Sequence, residues 1–203
     1  MNKLINVLIL LLILTASACG QNSGKDLLSV VQNKYKSLKD LTADFKQSLN
    51  EKSNLLGKIQ YAKGNKLRVE LKNSTIISDG TTLWNYNKSQ KKVVISRVSP
   101  DDPSFFSPDK FLFGYPSKSV VSMEKEEGQE ILVLIPMTES NLDFKKAKIW
   151  VNHDNLMTRI LVENLSGAFM DFHLSDYKLN QSLPDSKFTF SPPEGTNIID
   201  LRK

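Results

Sequence analysis

From Leu41 onward the chain alternates apolar and polar residues in short runs separated by tight turns. That period of two points to antiparallel β-sheet. Leu41, Ala43 and Phe45 alternate with Thr42, Asp44 and Lys46, and Gly57 opens Lys58-Ile59-Gln60-Tyr61-Ala62. Lys63-Gly64-Asn65-Lys66 reads as a turn into Leu67, Val69 and Leu71, which alternate with Arg68, Glu70 and Lys72. Asp79-Gly80 joins Thr75–Ser78 to Thr82–Tyr86, and the charged tip Asn87–Lys92 leads back into Val93–Ile95. After a break the pattern resumes in Glu130–Ile135, Ala147–Val151, Met157–Asn164 and Ala168–Tyr177, with Asn152–Asn155 as a hairpin tip. Roughly nine or ten strands are too many for one flat layer, so the sheet must curl toward a barrel or fold on itself.

Two stretches have a different period. Ser23-x-x-Asp26 has the form of a capping box, followed by Leu27, Leu28, Val31, Tyr35 and Leu38 at helical spacing with lysines opposite. In the middle, Ser99–Ser104 and Ser107-Pro108 carry turn chemistry, while Phe105, Phe106, Phe111, Leu112 and Phe113 are large and apolar. They suit one or two short helical turns laid against the sheet. The expected class is mostly β with α: a curled, half-open antiparallel sheet with one or two helices on its concave side and an apolar interior between them. That geometry suits apolar ligands.

The chain begins with an export signal. Lys3 is followed by the apolar run Leu4–Leu14 and the small residues Ala16-Ser17-Ala18, too short a stretch for a membrane span. Cys19 is the only cysteine. Ala16-Ser17-Ala18 fits an ordinary peptidase site, and Ala-Ser-Ala-Cys also resembles a bacterial lipobox, although that motif usually has Leu where Ala16 stands. Acylation of Cys19 is preferred, because an exported thiol without a disulfide partner otherwise needs a separate explanation. The expected organisation is a signal over 1–18, a tether over 19–25 and one domain over 26–203. The sequence is 40% hydrophobic and 24% charged with a formal charge of +5, its lysines interspersed with acids. No clustered basic face with aromatics appears, which argues against nucleic acid; weak attraction to anionic lipid headgroups is compatible with the charge.

Catalytic chemistry is missing from the inventory. His153 and His173 are the only histidines, and neither joins a cluster with metal-ligand spacing. There is no G-x-S-x-G and no glycine-rich phosphate loop. Asp101-Asp102, beside prolines, reads as turn capping. The expectation is a protein that is not an enzyme and uses no cofactor or metal.

Two stretches resemble the LolA-type carriers of outer-membrane lipoproteins. Lys187-Phe-Thr-Phe-Ser-Pro-Pro-Glu-Gly-Thr-Asn-Ile-Ile-Asp-Leu-Arg-Lys203 resembles the family's ending F-x-F-x-P-P-x-G-V-x-V-x-D-x-R, and Ile77-Ser-Asp-Gly-Thr-Thr-Leu-Trp-Asn-Tyr-Asn87 resembles V-S-D-G-K-T-L-W-x-Y-D/N. Phe45-Lys46-Gln47 and Gly57–Val69 add weaker matches. The resemblance implies an incomplete antiparallel β-barrel, a half-barrel, with helices forming a lid over an apolar cavity that holds a lipoprotein's acyl chains, accepts them from an inner-membrane lipoprotein-releasing ABC transporter and passes them to an outer-membrane acceptor. It implies a monomer in the periplasm of a Gram-negative-type bacterium.

The cavity residues expected on this basis are Phe45, Leu67, Val69, Leu83, Trp84, Phe105, Phe106, Phe111 and Phe113; core packing accounts equally well for Leu67, Val69, Leu83 and Trp84. Lys63 falls where the family has an arginine thought to tie the lid to the barrel, and it lacks the guanidinium's forked donors. The family's F-R/N-W becomes Leu67-Arg68-Val69. Acylation at Cys19 would hold the domain at a membrane surface, the outer membrane being weakly favoured because Gly20 follows. The alternatives are a tethered binder of lipids or glycolipids, or a receptor-like acceptor of the same fold.

Overall fold

The computed structural model describes residues 23–52, 54–98 and 106–202. Residues 23–37 form a helix, α1, whose buried stripe is Leu27, Leu28, Val31 and Tyr35, as the helical spacing requires. Among the described residues twelve strands follow. They are β1 (Asp40–Leu49), β2 (Asn54–Ala62), β3 (Lys66–Leu71), β4 (Ser74–Asp79), β5 (Thr82–Asn87), β6 (Lys92–Arg97), β7 (Ser119–Glu126), β8 (Gln129–Pro136), β9 (Phe144–Val151), β10 (Met157–Asn164), β11 (Phe169–Leu179) and β12 (Asn197–Asp200). Two of them, β7 and β12, escape the sequence pattern.

All twelve belong to one sheet in the order β12-β6-β5-β4-β3-β2-β1-β11-β10-β9-β8-β7. Each pair is antiparallel except β12 on β6. β7 and β12 are the two edges, so the sheet is open and the barrel incomplete. At one end of the strands lie the turns 50–52, 72–73, 88–91 and 165–168 and the loop 137–143; this end is called the mouth below. The turns 63–65, 80–81, 127–128 and 152–156 lie at the other end.

Between β6 and β7 a cover segment, 106–118, crosses the inner face. It contains a π-helical turn, Lys110–Gly114, and a 3-10 turn, Tyr115–Lys118. Inward residues of the sheet, including Leu41, Ile59, Leu67, Leu132, Ile149 and Phe172, form one continuous core with α1 and the buried Phe106, Phe111 and Leu112. α1 begins against the edge strand, where a Cβ on Gly24 would stand 2.6 Å from the Ser122 backbone. Only glycine permits that approach. On the opposite face of the sheet Ile131, Val133 and Trp150 form a separate small cluster. No helix among the described residues is long and apolar enough to cross a membrane.

Candidate functional site

Paired residues of neighbouring strands share a face, so the register sorts the expected lining residues. Leu67, Ser78 and Leu83 stand opposite one another on β3, β4 and β5. Leu67 and Leu83, with Val69 and Phe45, are buried in the core on the inner face. Phe106 and Phe111 reach the same core from the cover segment. Phe113 is half-buried, and the Lys36 ammonium of α1 lies 5.5 Å from its ring centroid. Phe105 and Cys19 fall outside the described residues.

Trp84 requires a correction. It follows Leu83 directly, and successive strand residues point to opposite faces, so the two cannot line one interior. Trp84 pairs with Ile77 and Ile95 on the outer face. There the C-terminal segment runs back over the sheet: Lys66 meets Asp185 at 2.7 Å, Arg68 donates to the Lys187 carbonyl at 3.3 Å, and Tyr86 packs on Phe190 with centroids 5.1 Å apart. The two motifs that carried the resemblance therefore meet outside the interior, where they seal the outer face.

Under the cover segment the aromatic rings converge. Phe106 lies 5.7 Å from Phe45, 5.8 Å from Phe111 and 5.2 Å from Phe172 between centroids. Tyr115 is 5.2 Å from both Phe111 and Phe144. Beside these rings is a cavity of about 50 Å³, lined among others by Phe106, Phe111, Tyr115, Phe144, Val162, Met170 and Phe172. Phe144, Met170 and the lining loop residues Asn141–Asp143 place it at the mouth. Ligand pockets usually measure about 300–1,000 Å³. Among the described residues the interior is thus closed, filled by its own side chains.

Polar bonds tie the cover to the barrel and to α1. The Tyr61 hydroxyl of β2 donates to Asp109 Oδ1 at 2.8 Å, and Gln32 Nε2 of α1 donates to the Leu112 carbonyl at 2.6 Å. Asp109 Oδ2 is buried without a hydrogen-bond partner among the described residues. Burial pushes the Asp109 carboxyl above the usual carboxylate range, against the opposing pull of the Tyr61 hydroxyl and the Asn65 backbone N–H. Burial and the neighbouring Asp109 charge push the Tyr61 hydroxyl up as well. At the foot of α1 the Tyr35 hydroxyl accepts from the Met157 N–H at 3.3 Å, and Tyr177 donates to the Met157 carbonyl. Lys63 stands exposed on the turn 63–65 with no hydrogen bond or ion pair among the described residues. Two positions upstream, Tyr61 makes the bond from barrel to cover.

The outer face carries a wider groove of about 1,300 Å³. Arg159 grips Asp171 through two bonds of 2.9 Å, His173 Nε2 lies 3.2 Å from the same carboxylate, and the guanidinium sits 4.6 Å from the Trp150 ring centroid. These charges satisfy one another across neighbouring strands. No group of three or more potential metal ligands occurs among the described residues.

The family model for the outer membrane lipoprotein carrier protein LolA matches residues 36–191. The chain belongs to the LolA family. An outer-membrane lipoprotein carrier protein of Francisella tularensis is 26% identical over 190 residues, covering 88% of this chain and 90% of its own length. An uncharacterized protein of Methanocaldococcus jannaschii is 25% identical over 192 residues, covering 91% of this chain; the match spans only 56% of that longer relative. The crystal structure of an uncharacterized conserved protein from Thermus thermophilus superposes with a TM-score of 0.60 at 14% identity, covering 88% of this chain and 99% of that one. That likeness concerns the fold alone. Within this LolA-family half-barrel, sequence reasoning missed Tyr115, Phe144, Val162, Met170 and Phe172 as lining residues. Phe172 was visible in the alternation of β11, whereas the others depend on the order β11-β10-β9-β8 that brings distant segments together.

Proposed function

We propose that this chain is a non-catalytic, exported carrier or acceptor that shields lipoprotein acyl chains between the sheet and its cover. The observation that supports this reading is the aromatic-lined cavity at the mouth, roofed by α1 and the cover segment. The closed interior is too small for a chain, so α1 and the cover segment must lift to admit one. Each buried methylene is worth about 0.8 kcal/mol, so a chain of about sixteen carbons gains on the order of 12 kcal/mol. The chain would take the place of Phe106, Phe111 and Leu112 against the sheet, so its burial offsets theirs, and the hydrogen bonds at about 1–3 kcal/mol each are a smaller opposing cost. The partners under this reading are acylated lipoproteins, a lipoprotein-releasing ABC transporter that loads the carrier, and an outer-membrane acceptor. The place of action is the periplasm, at a membrane surface if Cys19 is acylated.

The test is native mass spectrometry of the protein purified from its own membranes, together with titration of a fluorescent fatty acid. Acylated polypeptide in the co-purified material supports the carrier. Lipid or glycolipid alone would reassign the cargo, and failure to bind any acyl probe would sink the reading.

A further inference from the structure

At the mouth the β1–β2 hairpin runs past its neighbour. The last β2–β3 pair is Gly57 with Leu71, so Asn54, Leu55 and Leu56 extend beyond the last residue of β3. Three strand residues carry the tip about 10 Å further out. Its apolar residues are open to solvent: Leu56 is 64% exposed and Leu49 and Leu55 are each 47% exposed. The adjoining β10–β11 tip adds Leu165, 60% exposed, and Phe169, 42% exposed. The two tips are joined, because the Asn50 N–H donates to the Phe169 carbonyl and the Phe169 N–H to Asn50 Oδ1, each at 2.8 Å. Solvent alone gives no reason for five large apolar side chains on two adjoined turns.

We infer that these two tips are a docking surface for an anionic lipid bilayer. Three observations favour a bilayer over a protein partner. The patch is a narrow projecting wedge, whereas stable protein interfaces use about 800 Å² per partner. It is flanked by cations: Lys46 is the cross-strand partner of Leu56, Lys72 follows the end of β3, and Lys52 sits at the turn, none with a salt bridge among the described residues. Glu51 is the acid on the same turn. Apolar tips flanked by lysines suit the headgroup boundary, where the stems lie along acyl chains and the ammonium groups meet phosphate. Finally, the patch is continuous with the cavity, since Leu49 pairs with Met170, which lines it. A chain leaving the bilayer at this surface would reach the mouth directly. The surface rests on the carrier reading for its purpose, but its existence can be tested without cargo.

The test uses the protein as cells export it, carrying Leu56→Trp or, for comparison, Leu201→Trp just beyond β12, at an edge of the sheet and at the end away from the mouth. Each is added to phosphatidylglycerol–phosphatidylethanolamine vesicles with brominated acyl chains, which quench an indole only within the hydrocarbon layer. Leu56→Trp should lose at least half of the added emission, while Leu201→Trp and the native Trp84 and Trp150 keep theirs. Replacing phosphatidylglycerol by phosphatidylcholine should lower the ratio of inserted to free tips at least tenfold, since each lysine contributes about fivefold at an anionic surface. Absent quenching at position 56, equal quenching at 56 and 201, or indifference to lipid charge overturns the proposal. The fluorescent fatty acid, titrated without vesicles, separates the two ideas. Probe binding without tip insertion overturns the surface and leaves the carrier standing, and insertion without probe binding does the reverse.

Discussion

Replacing Tyr61 by Phe isolates the bond between barrel and cover. The ring stays in the core, where Tyr61 is 4% exposed, and only the hydroxyl is lost. Asp109 then keeps a half-buried carboxylate that has lost its side-chain hydrogen bond and retains only the pull of the Asn65 backbone N–H. Bonds to charged groups have a net worth of about 1.5–3 kcal/mol, so the ratio of open to closed cover should rise roughly ten- to a hundredfold. Protonation of Asp109 limits the effect from below. Its pKa is raised in the folded state, so the stability linked to its bound proton is fully present below the unfolded pKa and is lost as pH rises through the folded value. Asp109→Asn retains an acceptor for Tyr61 and never ionises. It should therefore strengthen closure at pH 7 and change little near the bottom of the carboxylate range. Hydrogen exchange of the amides in 108–114 and the association rate of an acyl probe report the closed population. If Tyr61→Phe leaves both at wild-type values, this bond does not hold the cover.

Three further outcomes are expected. Gly24→Ala drives a methyl into the Ser122 backbone, an overpacking of about 1–3 kcal/mol that should lower the thermal midpoint by several degrees; an unchanged midpoint would show that α1 is not seated on β7. Leu67→Glu should abolish probe binding or unfold the protein, whereas Trp84→Glu should leave binding intact, with circular dichroism as the folding control; equal effects would contradict the assignment of opposite faces. Cys19→Ser should move the protein from the membrane to the soluble periplasmic fraction, and fatty-acid labelling of the wild type checks the anchor itself.

What the sequence makes legible depends on how local its cause is. The hairpins at Lys63–Lys66 and Asp79-Gly80 are encoded by adjacent turn residues, and the structure has both. β7 is hard to read because Val120 and Val121 stand together and Met123-Glu124-Lys125 follow, as an edge strand with one free side tolerates. β12 is four residues long and pairs in parallel with β6, roughly a hundred positions away, so no nearby pattern announces it. Trp84 stands in the same motif as Leu83, yet the alternation within that motif already puts the two on opposite faces. The Tyr61–Asp109 bond joins residues 48 positions apart across an irregular crossing. Periodicity cannot show such a contact.

The strand order also dictates a sequence of events as the chain folds. β1 lies between β2 and β11, with Leu41 opposite Leu179, and β6 lies between β5 and β12. A chain that emerges N-terminus first can assemble β1 to β6 early as a local meander. Both margins of that meander stay bare until the last part of the chain arrives, β11 for one and β12 for the other. Bare sheet margins recruit other strands, and ladders closed over such long separations form slowly. The growing chain thus passes through an interval in which two long strand margins stand open to any other chain that can pair with them.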